Sequence, residues 1–396
     1  MVIPKTLRVA VPWLLSASLG CGEKGAKPAL DAGSAGETGA AGQSGAGGGS
    51  GPLIDPNAAG TIRACPEARG AGAGGEPGID LPSRFAWSAS DPLIAPKADE
   101  AHPILSIKDP TIVHYDGRYH LFATTASQTG SWSMVYLSFA DFAEAATAEQ
   151  HYLGDYPALA GYHAAPQVFY FEPQQRWYLI FQSGQPQYTT TQDISDPSSW
   201  ARPVNFFPKE PTIVTENKGT GTWLDFWILC DERQCHLFFT DDNGQLYRSE
   251  TAIGDFPEGF GDPVIAIDGT KGTLFEGSAT YRVAGSDQYL TLIEAFGPNG
   301  QRYYRSFVAD SLDGEWTPLA GTFEAPFASE ENVTFESGTA WTRDVSHGEL
   351  LRDGYDQTLT ISLSCLRFLF QGVDPSVRPS EYYQYPYRLA LLTQTQ

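Results

Sequence analysis

Residues 79–396 are written as short apolar runs separated by turn residues, and one unit recurs along them: a polar or acidic lead, an apolar strand, a turn, and a second, aromatic strand. The first copy reads KDPTIVHY over 108–115, turns at Asp116-Gly117 and returns as RYHLFA over 118–123. The second pairs APQVFYF (165–171) with RWYLIF (176–181), and the third pairs LDFWIL (224–229) with HLFFT (236–240). The fourth pairs FEGSATYRV (275–283) with YLTLI (289–293); the fifth runs SHGELL (346–351), turns at Asp353-Gly354 and returns as LTIS (359–362). Helical periodicity is almost absent, with 141–151 the only stretch suited to a short turn of helix.

The leading positions fall near 109, 165, 225, 276 and 347, spaced by 56, 60, 51 and 71 residues, each enough for a four-stranded sheet and its loops. Repeated β-units of this length predict an all-β, five-bladed β-propeller over 79–396, with a two-sheet sandwich as the alternative. The first strand of each propeller blade lines the central channel. Asp109, Gln167 or its neighbours, Asp225, Glu276 and His347 are therefore expected to converge on the axis.

Charge and composition narrow the partners. The chain holds 25 Lys and Arg against 47 Asp and Glu, a formal net charge of −22, which excludes nucleic acid and anionic membrane surfaces. Basic and acidic residues cancel over 1–78, so the whole excess sits on the repeat region. Aromatics make up 13% and charged residues 18%, the latter below the roughly 25% of an ordinary globular chain.

The first 78 residues read as delivery rather than chemistry. Lys5 and Arg8 precede an apolar stretch over 9–19 and then Gly20-Cys21, which predicts an export signal over 1–21, too short to span a bilayer. A Cys directly after a small residue predicts a lipoprotein-type signal; ordinary cleavage nearby is the alternative. Residues 22–78, rich in Gly, Ala, Ser and Pro, bury too little apolar surface to offset chain entropy and are expected to form a disordered linker. The expected location is extracellular or at the cell surface, with a lipid anchor as the sole membrane contact and the chain acting as a monomer.

Export places the remaining cysteines in an oxidising setting. Cys230 and Cys235 flank a four-residue turn and are placed to staple it, which would leave Cys65 to pair with Cys365, although three connectivities are open. Neither paired CxxC nor HExxH is present, so zinc has no support. The run Asp241-Asp242-Asn243-Gly244 resembles a calcium loop but lacks the closing acid and reads as a hairpin turn. The sequence also lacks a nucleophile elbow and any phosphate-binding glycine loop in strand-to-helix context.

The converging carboxylates carry the candidate chemistry. Asp225 stands between Trp223 and Phe226-Trp227, and Glu276 follows Leu274-Phe275. Aromatic surroundings are expected to desolvate both carboxyls and raise their pKa, as a general acid requires. Lys108 beside Asp109 is expected to keep that group ionised, as suits a base. Two carboxyls so divided are what glycoside hydrolysis uses. Trp87, Trp132, Trp177 and Trp223 are candidates for stacking on sugar faces, with a place in the core as the alternative for each.

Further motifs extend the pattern: WS at 87–88, DPLI at 91–94, GYHAAPQVFYF at 161–171, WLDFW at 223–227, DDNGQLYRS at 241–249, LFE at 274–276, SHGEL at 346–350 and PYRL at 386–389. Together with KDPT at 108–111 they closely resemble glycoside hydrolase family 62, the α-L-arabinofuranosidases that act on arabinoxylan, from about residue 83 to 393. The resemblance implies a five-bladed propeller and an inverting hydrolase without an organic cofactor. It implies Asp109 as general base, Glu276 as general acid and Asp225 as the carboxylate that orients and tunes the acid, with acid and base roughly 6.5–9.5 Å apart. It also implies Lys108, Gln182 and Arg302 around an arabinose pocket, Tyr382 against the xylan main chain, and His347 holding calcium or a similar ion at the channel floor. Tyr383 departs from the small polar residue that members often carry there. A related glycosidase for other furanosides or xylosides and a non-catalytic sugar-binding propeller are the alternatives.

Overall fold

The computed structural model of the chain describes residues 81–395. Turn chemistry sets its units. Asp116 and Gly117 both take positive φ, 49° and 72°, giving the two-residue hairpin whose twist matches its flanking strands. The turn over 231–234 is closed by a Cys230–Cys235 disulfide. Cys365 is disulfide-bonded as well, while its expected partner Cys65, like the signal and linker, lies outside the described residues.

The strands assemble into five mainly antiparallel sheets of four or five strands, the blades of a propeller. Blade I runs from its innermost strand Ile104–Tyr115 through Arg118–Ser127 and Trp132–Phe139 to His151–Tyr152. Blade II starts at Ala164–Phe171, blade III at Leu224–Cys230, blade IV at Ala279–Val283 and blade V at Ser346–Leu350. The ring closes through blade V, where Trp87–Ala89 pairs antiparallel with the last strand, Arg388–Gln394, and Val333–Phe335 adds a parallel outer strand. Trp87 Nε1 donates to the Phe327 carbonyl at 2.6 Å, and the Asn332 amide donates to the carbonyls of Phe85, Pro326 and Phe327, locking this closure.

Facing sheets bury their aromatic strands against one another, and Trp87, Trp177 and Trp223 belong to that core. The one α-helix among the described residues, Thr212–Asn217, was not expected, and 141–151 yields only a 3-10 turn at Phe142–Glu144. The fifth repeat corrects the sequence reading. Ser346–Leu350 is innermost as expected, but its hairpin partner is Arg367–Gly372, and Thr360–Ile361 instead pairs in parallel with blade IV. Residues 351–366 thus form a strap whose backbone bonds Tyr170, Cys230 and Ala284 at the ends of three innermost strands. Arg352, buried beneath it, pairs with Glu349 at 2.7 Å and donates to the carbonyls of Ile112 and Val168.

Candidate active site

A repeated backbone irregularity aims the site. In blade I, Lys108 pairs with Thr124 but Thr111 with Phe122, so the inner strand carries one extra residue. The same three-against-two count recurs at Ala164/Gln167 in blade II and at Leu224/Trp227 in blade III. In blade IV, Phe275 and Glu276 exchange backbone bonds with Glu294 while Ala279 pairs with Leu292. The residue at each bulge takes a left-handed conformation: Asp109 at φ 48°, Ala165 at 49°, Asp225 at 57° and Gly277 at 64°. In blade V the extra residue is His347. Bulges of this kind re-aim a side chain out of the pleat, here into the channel.

Two expected positions shift accordingly. Ala165, not Gln167, is the blade II counterpart of Asp109; Gln167 lies fully buried between blades II and III, bonded to both backbone groups of Ile228. Glu276 precedes its bulge and so matches Lys108 rather than Asp109.

These residues meet in a cavity of about 190 Å³ lined by Lys108, Asp109, Trp132, Gln182, Asp225, Asp242, Glu276, His347 and Tyr382, among others. Lys108 Nζ lies 3.4 Å from Asp109 Oδ1, donates to the Tyr382 hydroxyl at 2.9 Å, and sits over the rings of Trp132 and Tyr382. Its ammonium stays charged because the Asp109 and Glu276 carboxylates outweigh its burial. The Asp109 N–H donates to Gln371 Oε1 at 2.6 Å. Gln182 accepts from the Asp225 N–H at 3.2 Å and donates to the Tyr162 hydroxyl at 2.9 Å, while Asp225 Oδ2 accepts from the Gly277 N–H at 2.7 Å. Arg302 Nη1 donates to Glu276 Oε1 at 2.6 Å and also to Glu294. Trp132 alone of the four candidate tryptophans lines the cavity, stacked on Tyr382 at 6.0 Å. The Tyr383 ring rests against Gly130, where an added Cβ would meet it at 3.2 Å.

The electrostatics divide the carboxyls differently from expectation. Burial, opposed by His347 and reinforced by Glu276 and Asp109, pushes the Asp225 carboxyl up to about 7, as its aromatic neighbours predict. Glu276 goes the other way: burial favours its neutral form, but Arg302 foremost and Lys108 outweigh burial and hold it below the usual range. The aromatic neighbours in sequence could not reveal a cation delivered from a strand 26 residues on.

The sign of the Asp225 shift makes a testable statement. From about pH 4 to about pH 7 the native protein holds a proton that the unfolded chain has released, so this group's contribution to stability falls as pH rises. Asp225→Asn is expected to flatten that fall in a calorimetric Tm series. An unchanged slope would show that Asp225 is already ionised at low pH.

Asp242 was missed. The run 241–244 does form a hairpin turn, with Asp241 Oδ1 accepting from the N–H groups of Asn243 and Gln245. Yet Asp242 lines the cavity, its Oδ1 is buried without a hydrogen bond, and burial together with Glu276 and Asp225 pushes its carboxyl up to about 9. The overlooked signal was topological: the turn between second and third strands returns to the end of the blade where the first strand begins. Trp132, Asp242 and Arg302 all follow from that rule.

His347 Nδ1 lies 3.4 Å from Asp109 Oδ1 and 3.7 Å from Asp225 Oδ2, and these carboxylates raise its basicity against the effect of burial. Among the described residues no group of three or more His, Cys, Asp or Glu side chains is placed to hold a metal ion. The described residues around His347 thus supply no such ligand set for the expected calcium or similar ion, and its ring nitrogen lies between two carboxylates.

Comparison with known proteins places the chain in a family. The chain is 38% identical over 316 residues to alpha-L-arabinofuranosidase C of Cellvibrio japonicus (strain Ueda107), covering 79% of this chain and 48% of the relative, so it spans about half the relative's length. It matches the catalytic domain of a GH62 α-L-arabinofuranosidase of Coprinopsis cinerea at 50% identity and a TM-score of 0.77, over 80% of this chain and 98% of that one. A GH62 hydrolase solved in complex with xylotriose matches at 47% identity and a TM-score of 0.76, over 79% and 98% of the two chains. Residues 86–393 match the sequence profile described as Glycosyl hydrolase family 62, and the chain belongs to that family.

Proposed function

We propose that the chain is an exported, inverting α-L-arabinofuranosidase that removes single arabinofuranosyl branches from arabinoxylan. One observation carries the reading: Asp109 and Glu276, from blades I and IV, project into one small cavity, each paired with its own cation. A pocket of about 190 Å³ suits one sugar unit rather than a threaded chain. Trp132 and Tyr382, at its rim, offer stacked rings on which xylose units of the main chain can lie. A relative solved in complex with xylotriose supports a xylose chain as the kind of partner. The leading segment over 1–21 supports export, with Cys21 as the lipid anchor.

In the proposed reaction Asp109, beside Lys108, takes a proton from the attacking water while Glu276 protonates the departing glycosidic oxygen. The Asp225 and Asp242 carboxyls, raised to about 7 and about 9, both interact with Glu276, so the three carboxyls titrate together and share a proton for the leaving group. Asp225 also grips the backbone of Gly277 and so fixes the acid's segment.

Incubation of the protein with wheat arabinoxylan, followed by proton NMR, is expected to show free arabinose whose β-anomer appears first. Early α-anomer would overturn inversion, and absence of arabinose would overturn the enzymatic reading.

A further inference from the structure

Glu294 is completely buried on the second strand of blade IV, directly behind Glu276. A charge so deep is unfavourable unless every oxygen finds a partner. Its Oε1 accepts from Arg302 Nη1, the same nitrogen that holds Glu276. Its Oε2 accepts from Ser346 Oγ at 2.8 Å and from the His347 N–H at 2.7 Å. Ser346 Oγ in turn accepts from Gln371 Nε2 at 3.1 Å, and Gln371 Oε1 accepts from the Asp109 N–H. The backbone of Glu294 also bonds Phe275 and Glu276.

We infer that Glu294 is a positioning residue that joins the two halves of the site: through Arg302 it sets the place and charge balance of Glu276, and through Ser346 and Gln371 it fixes the backbone of Asp109. The inference rests on the functional reading above. It has a direct physical consequence. Arg302 is shared between two carboxyls, and although burial raises that of Glu294, the charge of Arg302 opposes this, so Glu294 keeps Arg302 from acting on Glu276 alone. A neutral side chain at 294 leaves that cation wholly to Glu276 and removes a like charge from behind it; both changes make Glu276 a stronger acid that gives up its proton at lower pH. The other charged or titratable groups facing Glu276 stay in place: Lys108 and Asp109 from blade I, Asp225 and Asp242 from blade III, His347 from blade V, and Tyr382.

The test is a comparison of Glu294→Gln and Glu294→Asp with the parent in two measurements. In the first, side-chain carboxyl titration is followed by carbon-13 NMR, with the Glu276 signal assigned by its loss in Glu276→Gln. The Glu276 midpoint is expected to fall by about one pH unit in Glu294→Gln, a tenfold change in proton affinity, and by less in Glu294→Asp, which keeps the charge. In the second, the alkaline limb of the kcat profile for arabinose release is expected to move down by the same amount, with KM little changed. Should Glu294→Gln fail to fold, a lowered midpoint in Glu294→Asp still supports the inference. A midpoint unmoved in the folded variants overturns it, even if activity falls, because a merely structural role lowers the folded fraction without moving a titration. A parent that releases no arabinose overturns the functional reading instead, and the NMR titration still decides the role of Glu294.

Discussion

Glu276→Gln is expected to lower kcat on arabinoxylan by about 10²–10⁴-fold, the usual contribution of a positioned general acid, with KM close to the parent value. The amide keeps the shape of the side chain and a hydrogen bond with Arg302 but carries no transferable proton. The loss is expected to depend on the leaving group. An aryl arabinofuranoside departs as a stabilised phenolate and needs little protonation, so the variant recovers much of its rate on that substrate. Equal losses on the two substrates would remove Glu276 from the acid role and direct attention to Asp242, the carboxyl beside it that holds its proton most firmly.

Asp109→Asn is expected to cost as much, about 10²–10⁴-fold in kcat, but on both substrates alike, since the attacking water needs a base whatever departs. Asn keeps the backbone bond to Gln371 and tolerates the left-handed φ of 48°, so the fold is expected to survive. The substitution also leaves Lys108 without its nearest carboxylate, at 3.4 Å in the parent. The double variant Asp109→Asn/Glu276→Gln is expected to be little slower than the worse single variant, because residues acting in one displacement do not contribute additively. A product of the two separate losses would show that they serve different steps. Rates from stopped arabinose assays, with circular dichroism to establish folding, check each case.

Much of this protein is legible in its sequence. The alternation of apolar strands and turns specified the five units and their innermost strands, because each hairpin is a local matter of turn chemistry and side-chain period. Asp109, Asp225, Glu276, Lys108, Gln182, His347 and Tyr382 all line one cavity, and Arg302 bonds Glu276 beside it. The fifth unit was misread beyond its first strand. The short run at Thr360–Ile361 looks like a hairpin partner by pattern, but the stronger strand Arg367–Gly372 takes that place in the sheet.

What the sequence by itself determined is the architecture and the inventory: a repeating β-unit, five leading strands, and polar residues at their starts. Only the tertiary structure decided which atoms face the channel and with what charge. A single-residue bulge puts Ala165, not Gln167, in the place that Asp109 takes in blade I, since the extra residue breaks the regular alternation and re-aims the side chain there. Likewise, Arg302 and Glu294 lie beyond Glu276 in sequence but against it in space, where burial strengthens every charge interaction. Local pattern encodes strands; the pairing of charges across blades exists only once the blades have packed.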